Sequence, residues 1–84
     1  MPYLRQNRRS KFGSEIQKLS EEIETGGDMN FIFTRLCHLF VKKFGESYEN
    51  YSVCVSSLEN AKLELYRRKI APYEDRKIYE NGDV

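Results

Sequence analysis

The chain has 84 residues, of which 39 % are hydrophobic and 32 % are charged. A sequence of this length suffices for one domain only, and its aromatic content of 13 % can furnish a core and argues against disorder. The formal net charge of +1 excludes a strong field that would draw the chain to nucleic acid or to a membrane. Any anion site must therefore be local.

The spacing of apolar residues predicts an all-α fold in one domain. Apolar stripes at intervals of three and four residues, together with turn residues, predict helices over residues 7–24, 28–44, 47–70 and 72–80. We expect Pro72 to stop the third helix, because proline lacks an amide proton and suits the first position of a new helix. The prediction is a three-helix antiparallel bundle with a short C-terminal fourth helix, spanning residues 1–84.

Turn residues set the other predicted boundaries. We expect Thr25, Gly26 and Gly27 to end the first helix and Gly45 to end the second, because glycine adopts the left-handed conformation that closes a helix. Asp28 and Ser47 are expected to cap the second and third helices through their side-chain oxygens. The second helix is apolar over most of its circumference, so it is either central in the fold or covered by a partner.

No catalytic, cofactor or metal site is predicted. The single histidine, His38, has no carboxylate, cysteine or second histidine three or four residues away. Cys37 and Cys54 lie in apolar stretches without metal-ligand spacing, so we expect buried, reduced thiols in a cytoplasmic protein. No signal peptide is visible, and the most apolar segment, residues 29–44, is too charged to span a bilayer. We therefore expect a non-enzymatic protein with no membrane association.

The densest binding chemistry lies near the C-terminus. Guanidinium and ammonium groups hold phosphate or carboxylate, and tyrosine rings can stack on a base. The candidate ligand-binding residues are Tyr66, Arg67, Arg68, Tyr73 and Lys77. In the structural alternative, the basic residues complement a helix C-terminus and the two tyrosines dock the tail onto the third helix. The residues alone leave both interpretations open.

A second basic patch lies at the N-terminus. It consists of Arg5, Arg8, Arg9 and Lys11, with Tyr3 close by. Such a patch could bind nucleic acid, with a steep dependence on salt. So few charges at the end of a nearly neutral chain are more typical of a solvated terminus.

Three C-terminal segments form a specific motif. They are AKLELYRR at 61–68, APYED at 71–75 and ENGDV at 80–84. Together with residues 1–3 and 29–31, they resemble an uncharacterised family of small proteins encoded by phages and prophages. The chain departs from that pattern at Gln6, Asn7, Asn60 and Lys69. The family carries no assigned activity, so the resemblance implies a phage origin and the host cytoplasm, and its polar residues favour a shared C-terminal site.

Two functional hypotheses follow. The first is a non-enzymatic, homo-oligomeric phage accessory protein that sequesters a small anionic or nucleotide-like ligand and so counters host defence. The second is an interaction module whose second and third helices bind a host or phage protein through an apolar face. Binding of nucleic acid by the N-terminal patch is a third, weaker hypothesis.

Overall fold

The fold is entirely helical where it is described. A computed structural model of the protein describes residues 4–84, of which 86 % are helical, with no strand among them. The helices in chain order are α1 (Gln6–Glu22), α2 (Gly26–Phe44), α3 (Tyr48–Leu65), a π-helical turn (Tyr66–Ile70) and α4 (Ala71–Asn81). The predicted all-α class is confirmed. The chain divides within α2 into an N-terminal unit that ends at Leu39 and a C-terminal unit that begins at Phe40.

Reciprocal hydrogen bonds hold the turn between α1 and α2. The Asp28 N–H donates to Thr25 Oγ1 over 3.1 Å. In return, Asp28 Oδ2 accepts from the N–H groups of Glu24 and Thr25, over 2.8 and 3.1 Å. Thr25 is thus the N-cap of α2 and Asp28 its third residue, an arrangement known as a capping box.

Two predicted features of this turn are wrong. α1 ends at Glu22, and Gly26 and Gly27 form the first turn of α2 instead of ending α1. Asp28 lies inside α2 and not at the position before it. The Thr25 hydroxyl takes the capping role, because it satisfies an amide proton that the first turn leaves without a helical acceptor.

The connection between α2 and α3 agrees with the prediction. Gly45 ends α2 with a φ of 103°, and its N–H donates to Val41 O over 2.7 Å. Ser47 caps α3, since its Oγ accepts from Asn50 N–H over 3.1 Å. The side-chain amide of Asn50 donates to Gly45 O over 2.8 Å, which ties the end of one helix to the start of the next.

The helix continues through Pro72, so the predicted stop at this residue is wrong. The π-helical turn comes directly before Ala71, whose N–H donates to Tyr66 O. In a regular α-helix, the Pro72 ring would clash with the carbonyl group four residues earlier, which belongs to Arg68. Arg68 lies inside the π-helical turn. We attribute the π-helical turn to this clash. The wider turn relieves the clash without ending the helix.

The described residues bury very little apolar surface. Cys54, at 9 % exposure, is the one buried hydrophobic residue among them, and α1, α2 and α4 contain no buried residue. None of the described helices is long and apolar enough to cross a membrane. The antiparallel packing of the three long helices stays a prediction.

Candidate anion-binding site

Arg67 and Arg68 converge on one carboxylate oxygen. Arg67 Nη2 lies 2.9 Å from Glu64 Oε1, and Arg68 Nε lies 2.5 Å from the same atom. Residues three and four positions apart are neighbours on a helix surface, which explains the double contact. The Glu64 side chain is 24 % exposed, whereas those of Arg67 and Arg68 are 67 % and 60 % exposed. Two exposed guanidinium groups therefore surround a half-buried carboxylate.

Tyr73 has two cations over its ring. Arg76 Cζ lies 5.8 Å and Lys77 Nζ lies 5.5 Å from the ring centroid. Cations at these distances are attracted by the negative face of the ring. Lys77 Nζ also lies 3.1 Å from Glu80 Oε2. Because about half of Tyr73 is exposed, the ring is a flat apolar surface with positive charge beside it.

Tyr66 begins the π-helical turn that lies between the arginines and Tyr73. Its N–H donates to the carbonyl oxygens of Lys62 and Leu63, and its own carbonyl oxygen accepts from Ala71 N–H. About half of the residue is exposed. Both tyrosines of the predicted site are therefore accessible from solvent.

The predicted site residues form two groups along one helical segment. Arg67 and Arg68 form the first group, and Tyr73 and Lys77 form the second. At ~1.5 Å per residue, Arg67 and Lys77 are separated by about 15 Å along the helix axis. A ligand that contacts both groups must be elongated, as a nucleotide is.

The ligand-binding residues predicted from the sequence do not include Glu64 and Arg76, which the structure places in contact with them. Glu64 precedes the two arginines by three and four residues, and Arg76 follows Tyr73 by three. These are the spacings of neighbours on a helix, and they would have identified both residues. The segment from Glu64 to Lys77 contains five basic and three acidic residues, so its net charge is +2 in a chain whose total is +1.

Shifted pKa values occur at the turns between helices. The backbone N–H groups of Glu24 and Thr25 lower the pKa of the Asp28 carboxyl, because they stabilise its charged form. The Tyr51 hydroxyl donates to Glu46 Oε2 over 2.9 Å, and this hydrogen bond raises the pKa of Tyr51. Both groups stabilise helix starts and lie outside the candidate site.

The N-terminal basic patch lies partly against its own helix. Arg8 Cζ lies 5.8 Å from the ring centroid of Phe12, and Arg9 Nε donates to Leu4 O. Tyr3 lies outside the described residues. All four basic residues of the patch, Arg5, Arg8, Arg9 and Lys11, are nevertheless exposed.

Metal-binding and redox groups are sparse in the described part of the chain. No group of three His, Cys, Asp or Glu side chains that could hold a metal ion occurs among residues 4–84. Neither cysteine forms a disulfide. Cys54 is buried as predicted, whereas Cys37 is only half-buried.

Comparison with known proteins gives a family and no activity. Neither the curated proteins nor the solved structures contain a match to the chain. The family described as "Domain of unknown function (DUF6899)" matches residues 1–84. An uncharacterised family is what the C-terminal motif predicts, and the phage origin stays a prediction. The chain belongs to the DUF6899 family.

Proposed function

We propose that this chain is a non-enzymatic helical binding module that works as a homo-oligomer. The supporting observation is that each long helix exposes an apolar stripe. The stripes contain Phe12, Ile16 and Leu19 in α1, Met29, Phe33 and Leu36 in α2, and Tyr51, Val55 and Leu58 in α3. Contiguous apolar surface that stays exposed in a soluble protein usually marks a binding surface.

A second copy of the chain is the partner that fits these stripes best. A chain of 84 residues has little core of its own, and small domains commonly gain stability by oligomerising. The net charge of +1 produces little repulsion between copies. In this proposal the antiparallel bundle is completed by helices from more than one copy.

A single substitution on α2 tests the homo-oligomer. Phe33→Lys places a charge on the apolar stripe, and we expect it to dissociate the oligomer because burying an unpaired charge is costly. Sedimentation velocity measures the mass of each species. Thr34→Lys adds the same charge at an exposed polar position and is expected to leave the mass unchanged. Wild-type protein that stays monomeric and helical over the accessible concentration range would contradict the homo-oligomer and favour a different protein as partner.

We further propose that the C-terminal helical segment sequesters a small anionic, nucleotide-like ligand. Support comes from the two guanidinium groups of Arg67 and Arg68, which meet at one oxygen of Glu64, and from the exposed Tyr73 ring beside Lys77. Guanidinium groups bind phosphate in a bidentate manner, and an aromatic ring stacks on a base. The two arginines would hold a phosphate group, while Tyr73 and Lys77 contact the rest of the ligand and Tyr66 lines the space between.

Native mass spectrometry of gently purified protein tests this ligand site. We expect wild-type protein to retain an added mass of nucleotide size, and the variant Arg67→Ala with Arg68→Ala to lose it. The matched control, Arg8→Ala with Arg9→Ala, also removes two arginines and is expected to keep the added mass. Retention by the Arg67 and Arg68 variant would place the ligand elsewhere, and loss in the control alone would favour the N-terminal patch.

The phage origin implied by the C-terminal motif extends this proposal. Sequestering a nucleotide-like signal would remove it from the host and so counter host defence. A phage is then expected to form more plaques on bacteria that express the wild-type chain than on bacteria that express the Arg67 and Arg68 variant. Equal plaque numbers at equal expression would contradict a role in defence.

A further inference from the structure

We infer that Glu64 is an internal competitor of the ligand, whose phosphate group must displace the Glu64 carboxylate from Arg67 and Arg68. This inference rests on the ligand site proposed above. It concerns how that site is regulated, because a carboxylate built into the same helix lowers the apparent affinity for every anion. An anion that binds weakly then no longer occupies the site at its available concentration. Glu64 therefore sets the minimum affinity that a ligand needs to occupy the site.

The geometry leaves the arginines open to an incoming anion. Both guanidinium groups contact one oxygen, Glu64 Oε1. Both are much more exposed than the carboxylate that they contact. An anion arriving from solvent can therefore meet the guanidinium groups before Glu64 leaves, so displacement needs no opening of the helix.

The chemistry favours phosphate over the internal carboxylate. A phosphate group carries about −1.5 to −2 charges and has more acceptor oxygens than a carboxylate, which carries a single charge. Two guanidinium groups carry two positive charges and many N–H donors. Phosphate therefore matches Arg67 and Arg68 more closely than Glu64 does, whereas a simple carboxylate ligand would gain little by the exchange.

The chain contains a matched ion pair outside the site. Lys62 Nζ lies 3.4 Å from Glu59 Oε1, also at a spacing of three residues in α3. Glu59→Gln and Glu64→Gln remove the same charge and an ion pair from the same helix. Glutamine has nearly the helix propensity of glutamate, so both variants are expected to fold.

Calorimetric titration with inorganic pyrophosphate tests the competition at fixed ionic strength. We expect Glu64→Gln to bind pyrophosphate about tenfold more tightly than wild type, equivalent to ~1.4 kcal/mol. Glu59→Gln is expected to change the affinity less than about twofold, because exposed charges at a distance are screened. The variant Arg67→Ala with Arg68→Ala is expected to lose binding. Circular dichroism checks that each variant keeps its helix content.

The outcomes separate the competition from the site itself. If wild type binds pyrophosphate through the two arginines and Glu64→Gln binds no more tightly, the competitor role is overturned and the ligand site stands. Equal tightening in the Glu59 and Glu64 variants overturns it as well, since the cause is then net charge. If neither wild type nor Glu64→Gln binds pyrophosphate, both the ligand site and the competition are overturned.

Discussion

The α1–α2 turn and the α3–α4 junction both contain residues that disfavour helices, and they have opposite outcomes. At Gly26 and Gly27 one helix has ended and another begins, whereas at Pro72 the helix continues. Near the glycines, Thr25 and Asp28 provide oxygen acceptors for backbone N–H groups at the turn. Those acceptors stabilise the separation of two helices there.

The junction before Pro72 has no such side chains. Ile70, at the position before α4, makes no side-chain cap hydrogen bond. The π-helical turn instead keeps the Ala71 N–H bonded to Tyr66 O. The comparison shows that two helices separate where side chains satisfy the exposed backbone groups, whereas Pro72, without such side chains nearby, only distorts a helix that continues.

Removing the proline should have the largest effect. Pro72→Ala is expected to convert the π-helical turn to regular α-helix and to stabilise the fold by ~1–3 kcal/mol. Closing the wider turn also rotates Tyr73 by about 100° relative to Arg67, so we expect the protein to retain less of the added mass of nucleotide size. Urea unfolding at fixed protein concentration measures the first effect and native mass spectrometry the second. An unchanged unfolding midpoint would show that Pro72 does not cause the wider turn.

Two glycines should respond in opposite directions to the same substitution. Gly45→Ala is expected to cost ~1–3 kcal/mol, because its φ of 103° is strained for any residue with a Cβ atom. Gly26 lies in the first turn of α2 without a positive φ, and a Cβ there would meet nothing within 4 Å. Gly26→Ala should therefore stabilise by up to ~1 kcal/mol. Thermal unfolding of both variants tests this, and destabilisation by Gly26→Ala would contradict the capping-box description.

The smallest effect on stability is expected when the pH is lowered until Asp28 becomes protonated. The folded-state pKa of Asp28 lies below its unfolded value, so its contribution to stability is full above the unfolded pKa of ~3.9. The contribution is lost as the pH falls through the folded pKa. Asp28→Asn should make the melting temperature less dependent on pH in this range. Thr25→Val removes the partner hydroxyl and should lower stability at every pH. An equal pH dependence of the melting temperature in wild type and Asp28→Asn would contradict the stabilising role of the Asp28 carboxylate.

The helices could be predicted from the sequence because each apolar stripe repeats at helical spacing. Gly45 and Ser47 were also predictable, since each acts alone at its end of a helix. Thr25 and Asp28 act as a pair, and either could be a cap by itself. Their separation by three residues distinguishes the capping box from a single Asp28 cap.

Less of the candidate site could be predicted. Arg67 and Arg68 are adjacent in sequence, so their proximity follows from any helix. Their convergence on Glu64 depends on side-chain rotamers. The rotation of Tyr73 about the helix axis, relative to the two arginines, depends on how the backbone responds to Pro72. The exposed stripes identify the residues that need burial, but periodicity within one chain does not identify what buries them.

Cys37 and Cys54 provide a natural reporter in each unit of the chain. Cys37 lies in the unit that ends at Leu39, and Cys54 lies in the unit that begins at Phe40. Alkylation by iodoacetamide requires that a thiol reach solvent, so its rate at Cys54 follows local opening around the most protected of the described apolar side chains. Peptide masses resolve the two modified cysteines. One alkylation time course therefore compares the access of solvent to one thiol in each unit in the same sample, without an added label.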